Sequence, residues 1–142
     1  MPTSALRRFL IFRVPLVVYM GYIFFMSSGP VEAEVFSHFA DYVLHAAAYG
    51  VFYVLAHWAV HEGLPLAAGR GGYWLPWFVT VLYGASDELH QSFVPSRQCS
   101  AADLLADAVG GLLGIVGLLA LRRAFGLWAP SQRNSPSREP AE

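Results

Sequence analysis

Asp41, His45 and Tyr49 recur at four-residue intervals, so on a helix they line up a carboxylate, an imidazole and a phenol along one face. A second group of polar residues lies between Gly84 and Gly114: Asp87, Glu88, Gln91, Arg97, Asp103 and Asp107. Side chains of these types can move protons, hold a divalent cation and grip a phosphate. In a binding site, Arg97 would contact phosphate bidentately, and His45, Gln91 and the acids would orient sugar, peptide or phosphate oxygens, directly or through Mg²⁺ or Ca²⁺. In an enzyme, Glu88 or Asp87 would hold the metal or act as general base, His45 would shuttle the proton and Arg97 would stabilise developing charge. The metal ligands expected on this reading are Asp87, Glu88 and Asp103. A third reading is structural: Arg97 neutralises Asp103 or Asp87, and the network locks helices together.

The elements that must position these residues are built for lipid. Of 142 residues, 56 % are hydrophobic and only 13 % charged, whereas a soluble chain carries about 25 % charged residues. The expected fold is all-α, an integral membrane bundle of four transmembrane helices. The formal net charge of -1 gives no basis for a nucleic-acid partner. Cys99 is the only cysteine, which excludes an internal disulfide and a cysteine-rich metal site. No phosphate-binding GxxxxGK, HExxH or CxxC occurs, and no serine has a convincing histidine and acid beside it in sequence.

Four apolar runs are legible. The first spans roughly Phe9 to Met26, follows Arg7 and Arg8 and contains Arg13 and Pro15; its length and the runs after it argue for an uncleaved helix, with Arg13 snorkelling back to the basic end. The second is Tyr42 to Val60, closed by His61, Glu62 and Gly63. The third runs from Tyr73 to Ala85 and continues at helical spacing to Gln91, so Asp87, Glu88 and Gln91 occupy its last turns. The fourth runs from Ala101 to Leu121, with Asp103 and Asp107 in its first two turns. Ser100 is placed to cap it, in a box with Asp103 standing for the usual Glu. Gly110 and Gly114 continue the face of Asp103 and Asp107, which would let a neighbouring helix approach closely. Tyr22, Tyr73, Trp74, Trp77 and Trp128 are expected to anchor the interfaces. His38, His57 and His61 are expected to pack or to sit at an interface.

Four crossings put Arg7, Arg8, Arg70, Arg122, Arg123, Arg133 and Arg138 on one side, with Arg97 on the other. The positive-inside rule then makes both termini cytoplasmic. The same topology gathers Asp41, His45, Asp87, Glu88, Gln91, Arg97 and Asp103 in the outer leaflet. Two polar helix mouths in lipid gain most by facing each other, so His45 is expected beside Glu88, Arg97 folded over them and Asp103 closing the cluster. Asp87 and Glu88 point about 100° apart on a helix, and either could face the site.

These blocks resemble the signature of the VanZ-like family, small polytopic bacterial membrane proteins named after an accessory protein of glycopeptide-resistance clusters. The first block is Asp41-Tyr42-Val43-Leu44-His45 followed by Tyr49, with Tyr42 where the family usually has Lys and Ala46 where it has Phe. The second is Gly84, Asp87-Glu88, Gln91, Phe93, Pro95, Arg97, Ser100, Asp103, Asp107, Gly110 and Gly114. Ser96 replaces a usual Gly, and Asp107 stands where Asn is common. The resemblance implies a multi-pass envelope protein of the bacterial cytoplasmic membrane, with residues 1–129 as the VanZ-like transmembrane domain; the polar, proline-containing stretch 130–142 is expected to be a disordered cytoplasmic tail. The expected partner is a membrane lipid or a lipid-linked cell-wall intermediate. Glycopeptide resistance is a family possibility only, since nothing in these residues recognises an antibiotic.

Overall fold

The computed structural model describes residues 2–29, 38–63, 72–95 and 97–125; the tail expected at 130–142, Trp128, Arg70 and residues 30–37 between the first two apolar runs lie outside them. The described residues form five helical segments: α1 (Pro2–Phe12), α2 (Val14–Ser27), α3 (His38–His61), α4 (Trp74–Gln91) and α5 (Ala101–Ala124). The helices make four rods, because α1 and α2 run on through a turn at Arg13 as one candidate span, Ser4–Ser27. That span, Asp41–His61 and Ala101–Ala124 are each long and apolar enough to cross a membrane. The third rod, α4, is 18 residues long and ends in polar turns.

Burial is inverted relative to a soluble protein. Phe25, Leu82, Leu105 and Val116 stand 60–74 % exposed on the outside, whereas Asp87, Glu88, Gln91, Asp103 and Asp107 are buried. Exposed Leu and Phe on every rod with carboxylates inside is the arrangement of a chain solvated by lipid, and the protein is a membrane protein.

Pro15 interrupts the backbone ladder of the first rod, and a side chain repairs it. Pro15 has no N–H for the carbonyl of Ile11; that carbonyl accepts from the Trp58 indole instead, at 3.1 Å. Pro76 falls in the first turn of α4, where its missing N–H breaks no bond; the Gly72 carbonyl just before that helix accepts from His61 Nε2 at 2.6 Å. The end of α3 is a Schellman turn: Glu62 takes the left-handed φ of 53°, and Gly63 N–H donates to the Trp58 carbonyl at 3.0 Å. The turn presents the Glu62 carboxylate to Arg8 and to Arg13, the latter at 3.3 Å. The hydrogen bond from Arg8 holds Glu62 below the usual carboxylate range. Arg13 therefore finds a partner at the basic end of its rod, where snorkelling would take it.

The two rods that carry most of the site, α3 and α5, pack backbone to backbone. A Cβ on Gly110 would lie 2.2 Å from the Ala46 carbonyl oxygen, and one on Gly114 would lie 2.5 Å from the Tyr53 ring. Both glycines thus face the neighbouring helix, and the missing side chains set the spacing. Trp77 Nε1 donates to the Ala108 carbonyl at 3.0 Å, and Tyr73 is buried against His57. These two aromatics are packed in the bundle and are not free interface anchors. His57 is fully packed, at 1 % exposure.

Candidate functional site

Four helix ends meet at one end of the bundle: the last turn of α2, the first turns of α3, the last turns of α4 and the first turns of α5. His45, on α3, donates from Nδ1 to Asp107 Oδ1 on α5 at 2.9 Å. Tyr49, one turn deeper on α3, stacks parallel to the His45 ring at 6.5 Å between centroids. Asp107 fits where it does because Gly84 on α4 has no side chain: a Cβ there would meet Asp107 Oδ2 at 2.8 Å.

Asp87 and Glu88 divide the labour that their 100° separation demands. Asp87 turns to the first rod, accepting from Ser27 Oγ at 2.6 Å and from Gln91 Nε2 at 3.2 Å. Glu88 turns to α5, where Oε2 accepts the Ser100 N–H at 2.7 Å. Ser100 caps α5, its Oγ accepting from Asp103 N–H at 3.2 Å. In a capping box the side chain at the third helical position would return the favour to the cap N–H. Here Glu88 from another helix takes that place, and Asp103 is left without this local partner.

The result is a convergence of acceptors. One atom each from His45, Glu88 and Asp107 lie within 4.8 Å of one another, and so do one each from Asp41, His45 and Asp103. Tyr49 Oη, Glu88 Oε1, Asp103 Oδ1 and Asp107 Oδ2 are buried without a hydrogen-bond partner among the described residues. Asp87, expected as a metal ligand, belongs to neither group.

Arg97 is placed differently from the expectation. Its Nε donates to the Gly29 carbonyl at 3.1 Å and its Nη2 to the Met26 carbonyl at 3.2 Å. Among the described residues it makes no ion pair with a carboxylate. The guanidinium closes the end of α2 instead of lying over the acids, because a helix C-terminus offers carbonyls without intrahelical partners and a negative dipole end. The residue that sequence reading missed is Ser27. As the small polar end of an apolar run it carries no signal except its position, one helix end away from Asp87.

The chain matches the VanZ/LLP1 family over residues 12–122. It belongs to that family. The matched VanZ/LLP1 segment begins at the Arg13 turn and ends at Arg122, so it contains every residue of the polar cluster. No curated protein and no solved structure matches the chain.

Proposed function

We propose that this VanZ-like membrane protein binds the polar headgroup of a membrane lipid or lipid-linked cell-wall intermediate at the four-helix mouth. The supporting observation is the set of buried polar atoms without partners: the Tyr49 hydroxyl, which lacks an acceptor, and the acceptor oxygens Glu88 Oε1, Asp103 Oδ1 and Asp107 Oδ2. Each such group costs about 1–3 kcal/mol when unsatisfied, and a ligand that brings donors or a cation removes that cost. Asp41 and the 13 %-exposed His45 side chain give the cluster its opening. With both termini in the cytoplasm, that opening faces the outer leaflet.

Native mass spectrometry of gently solubilised protein tests the reading. The expected result is a retained lipid mass that E88Q diminishes and D107N largely preserves, since an Asn at 107 still presents an acceptor to His45 Nδ1. A chain that releases every lipid as readily as its E88Q variant defeats the proposal.

The His45–Asp107 pair favours one second reading, an intramembrane enzyme acting on a lipid phosphate or headgroup linkage. An imidazole oriented by a buried carboxylate is the form of a general base. H45A and E88Q would then each abolish turnover by purified protein while lipid retention stays measurable. If neither changes turnover of any envelope lipid in a broad screen, the binding reading stands alone.

A further inference from the structure

We infer that Asp41, His45 and Asp103 form a binding site for a divalent transition-metal ion at the mouth of the cluster, and that this ion links the acid-rich pocket to an anionic headgroup. The link rests on the headgroup reading above; the metal site does not.

The geometry supplies a ligand set from two helices. A carboxylate oxygen of Asp41, a ring nitrogen of His45 and a carboxylate oxygen of Asp103 lie within 4.8 Å of one another, a separation that small side-chain rotations close to the span of one coordination sphere. Asp103 is 9 % exposed, and its Oδ1 has no hydrogen-bond partner among the described residues. Its usual local duty has been taken over, since Glu88 holds the Ser100 N–H. A buried carboxylate relieved of its capping role and aimed at an imidazole is an available ligand.

His45 carries the orientation that a metal-binding histidine requires. Its Nδ1–H is held by Asp107 at 2.9 Å, so the lone pair of the neutral ring lies on Nε2. Metal-ligating histidines nearly always donate their other ring N–H to a carboxylate or carbonyl in this way. Asp107 is thus a positioning residue, and an Asn at 107, which keeps a carbonyl acceptor, would serve the same purpose.

Charge adds an independent reason. Asp41, Glu88, Asp103 and Asp107 surround one imidazole, while Arg97 spends donors on the Met26 and Gly29 carbonyls. Phosphate approaching so many carboxylates is repelled unless a cation lies between. An imidazole with two carboxylates suits Mn²⁺, Fe²⁺ or Zn²⁺ better than the all-oxygen preference of Mg²⁺ and Ca²⁺. Three protein ligands leave coordination positions open, and the partly exposed Asp41 places that opening at the mouth.

The test uses metal-stripped, detergent-purified full-length protein titrated with Mn²⁺ and followed by loss of the free-ion EPR signal. The expected result is one equivalent bound, with nitrogen hyperfine coupling from an imidazole that H45A removes. D41N and D103N should abolish stoichiometric binding, and D107A should weaken it about 10- to 100-fold, the range for loss of a group that orients a metal ligand. Thermal melts of every variant separate loss of the site from loss of the fold, and D107N, which keeps the acceptor, should bind like wild type. Absence of stoichiometric Mn²⁺ or Zn²⁺ binding to the wild-type protein overturns the site. So does binding that E88Q abolishes while D41N spares it, which would place the ion on the deeper His45, Glu88 and Asp107 group. Lipid retention is then compared with and without EDTA. Loss of anionic lipid on chelation supports the link, whereas unchanged retention overturns it and leaves the metal site standing.

Discussion

Arg97 shows how a residue that reads as ligand chemistry in the sequence becomes architecture in three dimensions. Its guanidinium reaches two carbonyls at the end of α2 with the planar fork that Lys lacks. R97K should therefore lower stability by about 1.5–3 kcal/mol, the worth of hydrogen bonds to a charged group, seen as a reduced melting temperature in detergent with Mn²⁺ affinity unchanged. An R97K protein that melts like wild type but releases its lipid would return Arg97 to the ligand. Sequence periodicity grouped Asp41, His45 and Tyr49 correctly on one face, because helical spacing alone decides that. It could not choose between Asp87 and Glu88, since the rotation of α4 depends on Ser27 and Ser100, residues far away in the chain. Nor could it show that Asp103 loses its capping partner, an exchange that exists only once α4 and α5 are side by side.

At the scale of elements, the hydropathy pattern located the last three rods to within a few residues, because length and apolar content are what a bilayer selects, but it began the first at Phe9, whereas that rod starts with α1 at Pro2. The break at Arg13 between α1 and α2 was announced by Pro15, whereas the Trp58 indole that repairs it was not. A close helix contact was legible as the pair of small residues Gly110 and Gly114, whereas the partner helix, α3, and the tightness of the contact are visible only in the structure. A Cβ at Gly110 meets backbone, the Ala46 carbonyl oxygen at 2.2 Å, and rotamer changes cannot relieve that clash; Gly117 has nothing within 4 Å. G110A should cost about 3 kcal/mol or more, at or beyond the upper end for overpacking, and sharply reduce folded yield. G117A should stay within about 0.5 kcal/mol. Equal thermal melts for the two variants would mean that α3 and α5 do not depend on this contact.

For the whole molecule, the up-and-down course of the rods puts the Arg8, Arg13 and Glu62 cluster at one end and the acidic mouth at the other. Which end faces the cytoplasm is a matter of arginine placement, and Cys99, exposed near the mouth, reports on it. An impermeant maleimide should label Cys99 in intact spheroplasts. Cysteines introduced at Ser4 and Ser137 in a Cys99→Ser background should remain protected, and labelling of both from outside would invert the topology. The two faces of α4 at its polar end carry a different consequence. Leu89 in its last turn and Phe93 just beyond its end stand 60 % and 79 % exposed toward the surroundings, beside Asp87, Glu88 and Gln91, which are buried within. On this side α4 thus stands between the acceptors and the acyl chains, and on the headgroup reading proposed above a lipid would enter head first, leaving its tails outside. Recognition of that kind surrenders the headgroup's hydration and reads nothing of chain length or unsaturation, so the protein would sort lipids by their heads and be blind to their tails.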